Sequence, residues 1–225
     1  MTTELNRIFF RETIRGAGRS ETKIARRRGM RNEYAHIVVS VRPAERGRGV
    51  ILEWNAGANI PAFFSPSVLR GIDDALQAGV TGLEVTDITV NVETGSHHDI
   101  HSSEAVFREM AHKAVLQAME QAGSTILEAM SLVLIAVPAN QIEVVELAVA
   151  RLGGEATPAV KKEDGSKTLA ASMPSATVDE LIEGLLGETR GNAKITSRSN
   201  GYRARLDLHE DSAGAADPVV QPTLK

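Results

Sequence analysis

The order of the secondary structure elements predicted for the second half of the chain restricts its fold more than any other sequence feature. Apolar runs of strand length alternate there with amphipathic stretches of helical period. They predict a strand, a helix, two strands, a helix and a final extended segment, at 131–137, 140–154, 155–174, 177–187 and 192–210. This β-α-β-β-α-β order is typical of the split βαβ, or ferredoxin-like, fold. We therefore expect a ferredoxin-like domain at about residues 130–210.

Local signals mark the ends of these elements. Asp164-Gly165 predicts a hairpin turn between the two middle strands, and Asn200-Gly201 predicts a further turn in the last segment. Capping boxes pair an N-cap side chain with an acidic residue three positions later, and they are predicted at both helix starts: Asn140 with Glu143, and Thr177 with Glu180.

The first half of the chain is predicted to form another unit of mixed structure. Strands are expected at 34–43, 50–57 and 83–94, the last with an irregularity near Asp87 that favours a bulge. Ser65 and Ser103 are the predicted N-caps of two helices, which cover 65–79 and 104–122. The buried face of the second helix should carry five apolar side chains: Val106, Phe107, Met110, Ala114 and Val115. The sequence therefore predicts an α+β protein.

Basic charge is concentrated near the start of the chain. The net charge is −4, yet residues 1–48 hold 12 Lys/Arg against 5 Asp/Glu, whereas the remainder holds 13 against 24. The basic segment is densest at Arg15 to Arg31, where Arg26, Arg27 and Arg28 are adjacent. Like charges this close repel one another unless an anion is bound, so the segment predicts a nucleic-acid-binding surface. A solvated loop is the alternative.

Composition excludes several classes of site. The chain of 225 residues has no cysteine, so disulfides and thiolate chemistry are excluded. No apolar run approaches the ~18 residues of a membrane span, and the N-terminal residues lack the apolar core of a signal peptide. We expect a cytoplasmic protein without a membrane span.

A histidine cluster lies between the last predicted strand of the first half and the helix that follows it. His97, His98 and His101 surround Asp99, and imidazole and carboxylate groups are zinc ligands. On a strand, however, His98 would point away from the other three side chains, so we expect no metal. A metal-dependent hydrolase built on this cluster remains an alternative.

The chain is not expected to be an enzyme. Ser102 and Ser103 adjoin the cluster, but they precede a helix, where hydroxyls cap free N–H groups. The stretch 164–168, "DGSKT", lacks the spacing and the strand-loop-helix context of a phosphate-binding loop. We therefore expect no nucleotide hydrolysis and no cofactor.

Four stretches resemble the C-terminal half of elongation factor G, its fourth and fifth domains. "FFRETI" (9–14) is similar to the family's "YRETI", and "EYAHIVVSVRP" (33–43) to its "QYGHV…VEP". Residues 60–111, which include "GSHHDIHSSE", resemble "IPKEFIPAVEKGI" through "DGSYHDVDSSE". Residues 126–155 resemble "LLEPIMKVEV.VPEEYMGDV". The histidine loop falls between the strand and the helix that the family pattern requires.

The resemblance implies a domain organisation and a function. A domain of the ribosomal protein S5 domain 2-like fold is expected at 1–126, a ferredoxin-like domain at 127–210, and a disordered tail at 211–225. The family's fourth domain enters the decoding region of the small ribosomal subunit, so the implied partners are small-subunit rRNA, tRNA and mRNA. The implied contact residues combine the histidine loop with an adjacent basic loop: Arg26, Arg27, Arg28, Arg31, His97, His98, Asp99 and His101.

Departures from the family pattern leave alternatives open. His97 and His101 replace a tyrosine and an aspartate of the family, and residues 26–32 replace a glycine-rich loop. The family's GTPase domain has no counterpart here, so GTP hydrolysis would need either a GTPase-bearing partner chain or the missing domains of a longer factor. Another hypothesis is an interaction protein that docks through its ferredoxin-like sheet.

Overall fold

The computed structural model describes residues 8–28 and 31–205, with Arg28 and Arg31 described by their backbone alone. The expected tail at 211–225 lies outside the described residues. The described chain forms two sheets, each with two helices packed on one face, and thus has the α+β class that the sequence predicts.

The first sheet has four strands in the order β2-β3-β5-β4. These are β2 (Gly18–Arg28), β3 (Arg31–Pro43), β4 (Val50–Trp54) and β5 (Ile88–Ser96). β2 pairs antiparallel with β3 and β3 with β5, whereas β4 runs parallel to β5. Helices α1 (Ser65–Ala78) and α2 (Glu104–Ala122) cover one face, and their apolar sides form the first core with the inward residues of the sheet.

The five predicted core positions of α2 are all buried. A bidentate pair between Arg108 and Asp74 joins the exposed sides of α2 and α1, and the hydrogen bonds from Arg108 hold the pKa of Asp74 below its ordinary value.

The second sheet has β6 (Ser124–Pro138) at its centre. β10 (Lys194–Ala204) and β9 (Ser166–Pro174) pair antiparallel with β6, and the short strands β7 (Glu155–Ala156) and β8 (Val160–Lys161) pair with β9. Helices α3 (Ile142–Arg151) and α4 (Val178–Glu188) form the second core with this sheet. The predicted β-α-β-β-α-β order is present.

β6 joins the first strand of the chain to the second sheet. Its first residues, Ser124 to Glu128, pair with β1 (Phe10–Ile14), and its later residues line the second core. At Leu127 and Glu128 the strand has β1 on one side and β10 on the other. The expected domain boundary at residue 126 therefore lies inside a continuous strand.

Several local predictions are wrong. Neither helix of the second half has a capping box. Thr177 Oγ1 donates instead to the carbonyl oxygens of Pro174 and Leu152, and no side-chain cap bond is made at the start of α3. Ser65 is the first residue of α1 and makes no side-chain cap bond either. Asn200-Gly201 lies within β10, at a register irregularity opposite β6 rather than at a chain-reversing turn.

The irregularity predicted near Asp87 has a different form. Asp87 lies just before β5 with a positive φ of 55°, and its buried carboxylate accepts hydrogen bonds from the N–H groups of Gly47 and Gly49. The register shift between β3 and β5 occurs further along, between Val38 and Val39.

Candidate RNA-contact tip

The histidine loop is held against β3 by hydrogen bonds from the backbone and from one serine. The N–H of Tyr34 donates to the carbonyl of His101 (2.9 Å), and Ser102 Oγ donates to the carbonyl of Tyr34 (2.8 Å). Ser102 Oγ also accepts from the N–H of His98 (2.9 Å). The N–H groups of His101 and Ser102 both reach the carbonyl of His98, which closes the loop into a turn.

The two serines beside the cluster are thus structural. Ser103 is the N-cap of α2, and its side chain accepts from the N–H of Val106, as predicted. Ser102 ties the loop to β3 rather than capping the helix. Neither hydroxyl is paired with an imidazole in the manner of an activated nucleophile.

The imidazoles of the loop make two separate contacts, one between two rings and one between a ring and a carboxylate. The rings of His98 and His101 stack, with centroids 4.3 Å apart and planes inclined by 19°. His97 Nε2 lies 3.2 Å from a carboxylate oxygen of Asp99, whose side chain is 92% exposed. In addition, His98 Nδ1 accepts from the N–H of Ile100, at 3.2 Å. At this end of the sheet His98 is exposed to solvent, and His97 and His101 are partly exposed.

No metal centre is formed by this arrangement. Among the described residues, no group of three or more His, Asp and Glu side chains is placed to hold a metal ion. His36 is bound elsewhere on the sheet, with its Nε2 2.9 Å from Glu21 and its Nδ1 3.2 Å from Ser96 Oγ. The stacked pair and the His97–Asp99 pair do not converge on one point with a third ligand, as zinc would require.

The basic segment is a hairpin of two long strands, not the loop that the sequence predicted. Arg26 is paired with Glu33 across β2 and β3, Arg27 with Asn32, and Arg28 with Arg31 at the end of the hairpin. Tyr34, which bonds to the histidine loop, lies three residues from Arg31 along β3, about 10 Å at the rise of a strand. The hairpin and the histidine loop are therefore neighbours.

The arginines of the hairpin are not equivalent. Arg26 Nε lies 2.8 Å from Glu33, and its guanidinium also reaches Glu109 of α2 at 3.3 Å. The hydrogen bond that Arg26 donates to Glu33 raises the pKa of Arg26 above its ordinary value, and Glu109 adds to this effect. Arg27 is exposed, on the opposite face of β2. Arg26 thus joins the hairpin to α2, which leaves less of its charge for an external anion.

Sequence reasoning missed the residues that support the tip. Tyr34 OH is 2.7 Å from Ser96 Oγ, and Lys23 Nζ lies 5.8 Å from the centre of the Tyr34 ring. The signal was present, since the period of two in β3 puts Tyr34 and His36 on one face. Their partners come from β2 and β5, and the sequence alone does not reveal that pairing.

This arrangement is that of the C-terminal region of a translation elongation factor. The family model described as "Elongation factor G, domain IV" matches residues 6–123, so the chain belongs to that family. The first domain accordingly has the S5 domain 2-like fold and the second the ferredoxin-like fold, as the sequence predicted.

One relative in sequence agrees with the family assignment, and one solved structure agrees with the fold. Elongation factor G of Chlamydia caviae is 33% identical over 137 residues, which are 60% of this chain and 20% of that protein. A crystal structure from Thermus thermophilus superposes with a TM-score of 0.78 at 24% identity, over 87% of this chain and 29% of the other, and it supports the fold. The chain thus spans about one fifth of the length of the curated relative that it matches. No helix in the described part of the chain is long and apolar enough to cross a membrane.

Proposed function

We propose that the chain is a ribosome-binding module whose tip contacts RNA in the decoding region of the small subunit. The observation that supports this most directly is the hydrogen bond between Tyr34 and His101, because it joins the histidine loop to the basic hairpin. Arginine contacts phosphates through charge and hydrogen bonds, and imidazole can stack on bases or donate to phosphates. The contact residues proposed are those of the tip: Arg27, Arg28, Arg31, His97, His98, Asp99 and His101, with Arg26 as the support of the hairpin.

Co-sedimentation with small ribosomal subunits at a series of salt concentrations tests this proposal. Each phosphate contact releases counterions, so binding should weaken steeply as salt increases. The triple variant Arg27→Ala, Arg28→Ala and His98→Ala should bind more weakly and show a shallower salt dependence. Its stability should change little, because Arg27 and His98 are exposed and such side chains contribute little to folding.

Arg151→Ala is the matched control, since Arg151 is exposed at the end of α3 in the second domain. The control should bind as the unchanged chain does. The proposal is wrong if the unchanged chain fails to co-sediment at low salt, or if the triple variant and the control bind equally well.

The proposal assigns no GTP hydrolysis to the residues of this chain. The matched region is only 20% of the curated relative, which therefore carries further sequence outside it. A GTPase activity would accordingly come from a partner chain or from additional domains. We therefore propose that binding of this chain alone to ribosomes is insensitive to GTP, which the same co-sedimentation measures.

A further inference from the structure

We propose that Phe63, together with His97, forms a platform on which an unpaired nucleobase of RNA stacks. The inference rests on the proposed function and adds to it the kind of RNA contact: a single-stranded base rather than a duplex backbone. Phe63 is not among the contact residues proposed above.

Phe63 is exposed beside a column of buried aromatic rings. It lies in a 3₁₀ turn (Ala62–Phe64), where it is 65% exposed while the next residue, Phe64, is only 4% exposed. The ring centroids of Phe63 and Phe64 are 4.1 Å apart, and those of Phe64 and the fully buried Phe107 are 4.5 Å apart. The column thus extends from the first core to the surface and ends at Phe63.

The column also contacts the tip. The ring centroid of His97 lies 6.4 Å from that of Phe64, so Phe63 and His97 contact the same buried ring. His97 is held in turn by Asp99, and the N–H of Phe64 donates to the carbonyl of Pro61 at 2.9 Å, which fixes the turn. Two rings held in place in this way lose little conformational freedom when a ligand stacks on them.

A single exposed apolar side chain is common on protein surfaces and by itself needs no explanation. Phe63 differs because its ring packs on the ring of Phe64, which His97 also contacts. A protein partner would need a wider apolar patch. A nucleobase has an apolar face and polar edges, which suit an exposed aromatic ring whose neighbour Phe64 also contacts an imidazole. The hairpin that is joined to the histidine loop through Tyr34 supplies positive charge for the phosphates.

Bases in a duplex are already stacked on one another, so the platform should select single strands. Fluorescence anisotropy measures the affinity of the full chain for a labelled single-stranded RNA and for the corresponding RNA duplex. A length of about twelve nucleotides lies within the range of site sizes for single-strand binding. Phe63→Ala should weaken binding of the single strand about fivefold or more, the range expected for the loss of one base stack. The salt dependence should stay unchanged, because no phosphate contact is removed, and binding of the duplex should also stay unchanged.

Three further variants make the result specific. Phe63→Leu keeps an apolar side chain of similar size but has no flat aromatic face, so it should behave as Phe63→Ala does. Phe63→Tyr keeps the face and should bind as the unchanged chain does. Leu69→Ala, which removes a 40% exposed apolar side chain from α1, is the control and should bind normally.

The outcomes separate this inference from the proposed function. If the unchanged chain binds RNA but Phe63→Leu and Phe63→Ala bind the single strand as well as it does, the stacking platform is wrong and the ribosome-binding proposal stands. The platform is also wrong if Phe63→Ala weakens binding of the single strand and of the duplex equally. It is wrong as well if the only effect of the substitution, measured by sedimentation, is on self-association of the chain. If the unchanged chain binds neither RNA nor ribosomes, both proposals fail.

Discussion

Glu12 combines full burial with a carboxylate that is satisfied by four hydrogen bonds. It accepts from the N–H groups of Val80 and Thr81 and from the hydroxyls of Thr81 and Ser124. These donors come from the loop after α1 and from the start of β6. Glu12 therefore holds β1 to two other segments of the chain.

Replacement of Glu12 by Gln should destabilise the protein by about 1–3 kcal/mol. The amide group would place donors against the donors of the surrounding loop and leave buried polar groups unsatisfied. Urea unfolding measures the free energy of unfolding. Glu183→Gln, at an exposed position of α4, is the control and should leave that value nearly unchanged; equal stability of the two variants would contradict the structural role of Glu12.

At the residue scale the tip was only partly predictable. Local signals were enough to place the histidine loop between strand and helix and to identify Ser103 as an N-cap. They did not reveal that Arg26 is bound by Glu33 and Glu109, because Glu109 is 83 residues away and reaches Arg26 only when α2 crosses β2. Long-range pairs of this kind depend on the packing of elements, and periodicity in one segment contains no information about it.

Among the elements, β2 shows why part of the fold was missed. Its inward positions include Ser20 and Thr22, whose hydroxyls bond to Gln117 and to the carbonyl of Met110 in α2. A strand that uses hydrogen bonds on its inner face lacks the apolar alternation on which strand prediction depends. α1 and α2, in contrast, have strong apolar faces, and their predicted limits differ from the observed ones by a single residue at most.

The close approach of β2 to α2 predicts a sensitive position at Gly18. A Cβ added there would lie 1.9 Å from the carbonyl oxygen of Ala118, a backbone atom. Gly18→Ala should therefore cost about 1–3 kcal/mol, the range of overpacking in a core, as thermal or urea unfolding would show.

Gly184 in α4 is the matched control for this change. A Cβ there meets no atom within 4 Å, and alanine is favoured over glycine inside a helix. Gly184→Ala should raise the stability by up to about 1 kcal/mol. The packing argument is wrong if both substitutions change stability in the same direction.

For the whole molecule, the pairing of β1 with β6 predicts that the two cores unfold together, because β1 carries Ile14 of the first core and β6 lines the second. Leu169 is fully buried in the second core, and Trp54, the sole tryptophan of the sequence, packs against the first. Leu169→Ala should cost about 2–5 kcal/mol through the cavity that it leaves. The unfolding midpoint of this variant should fall, and it should be the same whether it is followed by the fluorescence of Trp54 or by far-UV circular dichroism.

Leu76→Ala, in the first core, is the companion variant, and it should lower both midpoints together as well. A tryptophan midpoint that does not move in Leu169→Ala, while the dichroism midpoint falls, would show that the two cores unfold independently despite the pairing of β1 with β6.

The uninterrupted course of β6 also has a mechanical consequence. Its fifteen residues extend over about 50 Å, and Leu127 and Glu128 are flanked by other strands on both edges. A bend at that point would have to break the hydrogen bonds to β1 and to β10, so β1 should move with the second sheet as one unit. A force applied to β1 would therefore be transmitted along the second sheet rather than absorbed between β1 and β6.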